Sequence, residues 1–94
     1  TQKGVRAGYL LDVSKAGSYQ MIFKMHSGEN PFAQLPVSIF VNGVLQQTTT
    51  FNGTDNKIIE RAVTISFTES GENQLTLFFG ESGVRMDEIL LVQE

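Results

Sequence analysis

The chain of 94 residues has no cysteine, no tryptophan, one histidine and two prolines. Without cysteine there is neither a disulfide nor a thiolate metal site, so an apolar core has to hold the fold by itself. The lone histidine, His26, lacks the companions from which a zinc site is assembled. No apolar run approaches the ~20 residues that a bilayer-crossing helix needs, and no basic-plus-apolar leader opens the sequence. Positive charge is scarce as well: seven Lys and Arg face ten Asp and Glu, for a net charge of −3. Nucleic acids and anionic membrane surfaces are gripped through a cationic excess, so neither is expected as a partner. A cysteine nucleophile is excluded, and nothing pairs His26 with a serine and an acid, so no catalytic activity is expected. Helical periodicity is missing beyond a single turn.

What the chain does have is alternation of period two. Tyr9, Leu11 and Val13 share one face of a first strand, and Tyr19, Met21, Phe23 and Met25 one face of a second. Val37, Ile39 and Val41 make a third. A weaker, more polar fourth runs from Val44 to Thr50. Val63, Ile65 and Phe67, then Leu75, Leu77 and Phe79, then Ile89 and Leu91 complete the set. Seven short alternating segments predict an all-β fold, an antiparallel β-sandwich of jelly-roll type. The apolar content of 40%, with seven Phe and two Tyr, suffices for one core, so residues 1–94 form a single module, expected to be one piece of a larger protein. The predicted core is Tyr19, Met21, Phe23, Ile39, Val41, Ile65, Phe67, Leu75, Leu77 and Ile89.

The connections come in two lengths. Gly17-Ser18, Asn42-Gly43 and Gly71-Glu72 are tight, Asn-Gly being the strongest signal for a two-residue hairpin turn. The stretches 27–35, 51–60 and 80–84 are longer and hold most of the polar chemistry. Strands that reverse at every step put alternate connections at opposite ends, so the three longer loops should share one end. Binding residues favour loops on a rigid scaffold, which makes that end the expected working surface.

Three segments carry a family resemblance. Tyr9-Leu10-Leu11-Asp12-Val13 running into Ala16-Gly17-Ser18-Tyr19, the hairpin Val37-Ser38-Ile39-Phe40-Val41-Asn42-Gly43, and Gly71-Glu72-Asn73-Gln74-Leu75-Thr76-Leu77 with the closing Asp87-Glu88-Ile89-Leu90-Leu91 resemble carbohydrate-binding modules of families 6 and 35. The resemblance implies a non-catalytic module that binds an oligo- or polysaccharide within a secreted, polysaccharide-acting protein, hence an extracellular or cell-surface location. It implies no cofactor beyond a calcium ion, for which Asp87 matches the families' closing ligand; Asp55, in an oxygen-rich turn, is a second candidate from its own chemistry. Those families commonly stack a sugar on a tryptophan in the loop matching 51–60, which this chain lacks. Arg85 stands where they usually place an asparagine. The alternative is a structural or protein-interaction sandwich that has lost the sugar site.

The candidate ligand contacts are Phe32, Asn30, Asn56, Lys57, Glu81 and Arg85. A Phe flanked by Asn30 and Gln34 suits a pyranose, whose C–H face stacks while its hydroxyls need amides. Exposed Phe is uncommon, however, and the plainer expectation folds Phe32 back as a plug. Arg85 and Lys57, near Glu81, Asp55 and Asn56, suit an acidic sugar, against the plainer reading of a solvated loop surface. Asp55 and Asn56 fit a turn better than a metal site. Asp87 and Glu88, as strand neighbours, should point to opposite faces. The first and fourth strands carry few charges to blunt a sheet edge, so self-association or contact with a neighbouring domain through that edge is expected.

Overall fold

The computed structural model describes residues 4–93. Seven strands form, β1 (Arg6–Val13), β2 (Gly17–His26), β3 (Gln34–Val41), β4 (Val44–Asn52), β5 (Ile59–Phe67), β6 (Gly71–Phe79) and β7 (Arg85–Gln93). They make two antiparallel sheets, β1-β6-β3-β4 and β5-β2-β7. The expected alternation becomes the core: Met21, Phe23, Met25, Val37, Ile39, Ile65, Phe67, Leu75 and Leu77 are buried between the sheets, with Ile89 packed half-buried against them. Tyr19 meets Phe67 edge to face at 5.4 Å, and its hydroxyl donates to the Lys15 carbonyl at 2.6 Å, satisfying the one polar atom it brings inside.

The fourth strand departs from expectation. It continues through Phe51 and Asn52, and Phe51 is fully buried, edge-on to Phe23 at 6.1 Å. The inward set of β4 is therefore Gln47, Thr49 and Phe51, a face too polar at its start to announce itself as a core strand.

At the end of the tight turns, Asn42 (φ 50°) and Gly43 (φ 82°) supply the paired positive φ angles of the two-residue hairpin. Asn42 also clips that hairpin to β6. Its Nδ2 donates to Asn73 Oδ1 at 2.8 Å, and its Oδ1 accepts from the Gln74 amide at 2.9 Å. Asn73, wholly buried, donates in turn to the carbonyls of Glu69 and Gly71. A buried side-chain amide is tolerable only when satisfied this way, and here it locks three strands at one end.

A β-bulge between Lys24 and Met25 shifts the register of β2 on β7. It overturns the expectation for Asp87 and Glu88. Asp87 reaches His26 at 2.7 Å and Glu88 reaches Lys24 at 3.3 Å, and His26 and Lys24 lie on one outer face. The extra residue in the bulged strand cancels one step of alternation. Each carboxylate is tied to a different side-chain nitrogen, so the pair shares no proton site.

Candidate functional site

The three longer connections, trimmed to 27–33, 53–58 and 80–84, do gather at one end of the sandwich. A clasp of Ser27 and Thr54, both buried, holds the first two together. The Ser27 amide donates to Thr54 Oγ1 at 2.9 Å, and that hydroxyl donates to the Ser27 carbonyl at 3.1 Å. Backbone bonds extend the contact, Asn56 to Ser27 at 2.7 Å, Asp55 to Glu29 at 3.0 Å and Gly53 to Ala33 at 3.1 Å, amide to carbonyl in each case. Gly53 is required by this approach, because a Cβ there would collide with the carbonyl oxygens of Asn30 and Glu29. The third loop leans on β3 and on the first loop: Gly80 donates to the Pro36 carbonyl of β3 at 2.9 Å, and Gly83, at φ +97°, lies against the Glu29 carboxylate.

Two turns set the outward side chains. In Asn30-Pro31-Phe32-Ala33 the Ala33 amide bonds the Asn30 carbonyl at 3.0 Å and the Phe32 amide bonds Asn30 Oδ1 at 2.9 Å. Proline at the second position pre-sets φ for such a turn. The result holds Phe32 at the tip with its side chain in solvent, 94% exposed. It is not a plug; Leu35 and Val84, both buried, fill that place instead. The second turn spans 54–57. Asp55 (φ 50°) and Asn56 (φ 67°) take left-handed conformations, and the Lys57 amide closes on the Thr54 carbonyl at 3.0 Å. The oxygen-rich pair thus serves the turn, as its sequence suggested.

Beside the Phe32 turn lies a shallow hollow of about 240 Å³ lined by Glu29, Ala33, Gln34, Leu35, Glu81 and Ser82. Two carboxylates and an amide border it, so it offers acceptors to hydroxyl groups. Lys57 and Arg85 share the end but not this hollow. Lys57 precedes β5 and Arg85 begins β7, with β2 between them, a separation of two strand spacings, roughly 10 Å. Among the described residues no hydrogen bond or ion pair joins either of them to Phe32, so the expected convergence is of one end, not one pocket.

The two candidate calcium ligands do not come together. Asp87 gives Oδ2 to His26, Asp55 sits in the turn of the neighbouring loop, and among the described residues no three His, Asp or Glu side chains are grouped to share an ion. Oxygen ligands from several groups at once are what such a site requires.

Sequence reasoning placed Gln34 beside Phe32 but missed Glu29, Ser27, Thr54 and Gly53. Glu29 carried the signal of lying three residues before Phe32. The Ser27–Thr54 clasp joins residues far apart in the chain and had no local signature.

No family model matches the chain. A curated β-glucosidase of Ruminococcus albus is 32% identical over 90 residues, which are 96% of this chain and 10% of that protein. The chain thus spans about a tenth of that relative. Among solved structures, a family 35 carbohydrate-binding module from an environmental isolate superposes with a TM-score of 0.86 at 18% identity, covering 99% of this chain and 69% of that one. The C-terminal family 6 module of a marine laminarinase from Zobellia galactanivorans gives 0.83 at 14% identity, covering 98% and 75%. The chain has the β-sandwich fold of the family 35 and family 6 carbohydrate-binding modules.

Proposed function

We propose that the chain is a non-catalytic carbohydrate-binding module of a secreted protein that acts on oligo- or polysaccharides, and that the sugar is taken at the loop end. The observation that carries this reading is Phe32, an aromatic ring 94% exposed on a turn fixed by two hydrogen bonds. Leaving such a ring in water costs burial free energy that a ligand recovers. A pyranose C–H face covers the ring, while Glu29, Glu81 and Gln34 in the adjoining hollow accept or donate to ring hydroxyls, and Asn30 contributes its amide Nδ2. Asn56, Lys57 and Arg85 lie farther along the same end and meet only an oligosaccharide long enough to cross it. The shared stretch with the Ruminococcus albus β-glucosidase supports the setting, an accessory module beside glycoside hydrolysis at an extracellular or cell-surface location.

The test is a glycan array on the purified module followed by calorimetry on the best oligosaccharide, with and without calcium. Phe32→Ala is expected to weaken binding by about 1–3 kcal/mol, the scale of an aromatic anchor, and Arg85→Ala by less. Affinity unchanged in Phe32→Ala relocates the site to the outer face of the four-stranded sheet, where Arg6 lies over Phe78 and Phe40 at 5.3 and 5.9 Å. Binding to no glycan at all favours the structural or protein-interaction module.

A further inference from the structure

We propose that β1 is a docking edge for a second copy of this chain, pairing antiparallel with its own counterpart about a two-fold axis at Tyr9. β1 is the outer strand of the four-stranded sheet and faces β7 across an open groove of about 340 Å³. Tyr9, Leu11, Ile89 and Leu91 form its walls over Met21 and Leu75. Leu10 beside them is 69% exposed and Tyr9 39%.

The backbone fixes which residues are free to pair. Phe79 donates its amide to the Val5 carbonyl at 2.9 Å, and alternate residues of an antiparallel strand bond to the same neighbour. The odd positions of β1 therefore address β6. Arg6, Gly8, Leu10 and Asp12 turn their amides and carbonyls to the open edge.

The side chains choose the partner. Laid antiparallel on itself about Tyr9, the sequence Arg6-Ala7-Gly8-Tyr9-Leu10-Leu11-Asp12 sets Arg6 opposite Asp12 of the second copy and Leu10 opposite Gly8. Ala7 falls opposite Leu11, and Tyr9 opposite Tyr9. This register pairs even positions with even ones, so the free backbone groups meet as hydrogen-bonded pairs. A Cβ on Gly8 would have no atom within 4 Å, which leaves room for the facing Leu10. Within one chain, by contrast, Asp12 stands directly opposite Glu72, a like-charge pair that costs stability. Arg6 makes no ion pair with a described residue. The second copy answers both by bringing an Arg6 to each Asp12. It also lays its Tyr9 and Leu11 along the mouth of the groove.

The experiment is light scattering coupled to size exclusion across a concentration series, on the wild-type chain and three charge variants. Wild type is expected to dimerise with concentration. Arg6→Asp and Asp12→Arg each put like charges at both ends of the pairing and should weaken association about tenfold or more. The double variant Arg6→Asp/Asp12→Arg restores opposite charges and should recover association. Asp12→Arg also removes the repulsion from Glu72, and thermal melts confirm that each variant is folded. A wild type that stays monomeric at the highest concentration, as it would if some other strand already covered this edge, overturns the proposal. So do single reversals without effect, or a double variant no better than the singles.

Discussion

The two long sides of the sandwich are closed by different means. On the β4/β5 side, side chains lace one sheet to the other. Gln46 donates to the Ser66 carbonyl and accepts from the Ser66 amide at 2.9 Å, Gln47 donates to the Thr64 carbonyl at 2.6 Å, and Arg61 donates to the Thr50 carbonyl at 2.8 Å while lying over Phe51 at 5.1 Å. On the β1/β7 side the facing residues are Tyr9, Leu11, Ile89 and Leu91, with Asp87 and Glu88 at the border, and the groove between them stays open. The open side is the more apolar of the two. Closure of a sandwich edge takes length and amide groups able to satisfy strand backbone across the gap, which aliphatic side chains lack. The polar fourth strand, which reads as the weakest, is therefore the one that bonds across to the other sheet, its glutamines satisfying backbone groups of β5.

The largest contrast between the two sides should come from core truncation. Phe51→Ala removes a fully buried ring that touches Phe23 and underlies Arg61, and is expected to cost about 3–5 kcal/mol. Leu11→Ala on the open side removes a half-exposed side chain and should cost less than about 2 kcal/mol, because water already reaches the site. Urea denaturation measures both. Equal losses would mean that the β1/β7 groove is as well packed as the core, and the contrast would fail.

A smaller effect tests the lacing itself. Gln47→Ala leaves the Thr64 carbonyl without its side-chain donor and is expected to cost about 1 kcal/mol, the net worth of one hydrogen bond. The accompanying signature is faster amide exchange along β4 and β5 with β1 and β7 unchanged. Uniform acceleration over all four strands would show that the glutamines support the whole domain and not one seam.

Much of the strand framework could be read from period-two alternation, because a half-buried strand writes its inner face at every second residue. Tyr19 through Met25 and Leu75 through Phe79 are legible for that reason, and Asn42-Gly43 because few other pairs accept two positive φ angles. What escaped was long-range or irregular. Gln46 and Gln47 look like surface residues until Thr64 and Ser66 are placed opposite them. The bulge at Lys24 and Met25 breaks the alternation on which the reading of Asp87 and Glu88 depended. At the loop end the gathering of three connections followed from strand reversal alone. The exposure of Phe32 depends on Asn30 Oδ1 holding a turn, and the roughly 10 Å between Lys57 and Arg85 on β2 standing between them; neither is a property of local composition.

The smallest predicted effect bears on how each side keeps its outer strand in the three-stranded sheet. Lys24 on β2 reaches Glu88 of β7 at 3.3 Å and Glu60 of β5 at 3.5 Å. Its ammonium pKa is raised above the ordinary 10.5, first by the hydrogen bond to Glu88, then by the charges of Glu88 and Glu60. A raised folded-state pKa means that the charged form binds its proton more tightly in the native state. The stabilisation is fully present below pH 10.5 and is lost as pH climbs through the folded value. The side chain is solvent-exposed, so the loss is slight and sensitive to salt. Lys24→Met should flatten this alkaline decline in melting temperature. Its sharper consequence is asymmetric. β5 keeps its glutamine and arginine links to β4 when Lys24 is gone, whereas β7 borders the open groove and has only β2 beside it. Hydrogen exchange in Lys24→Met should therefore quicken in β7 more than in β5. Equal quickening in the two strands would show that the lacing across β4/β5 does not hold β5 in place.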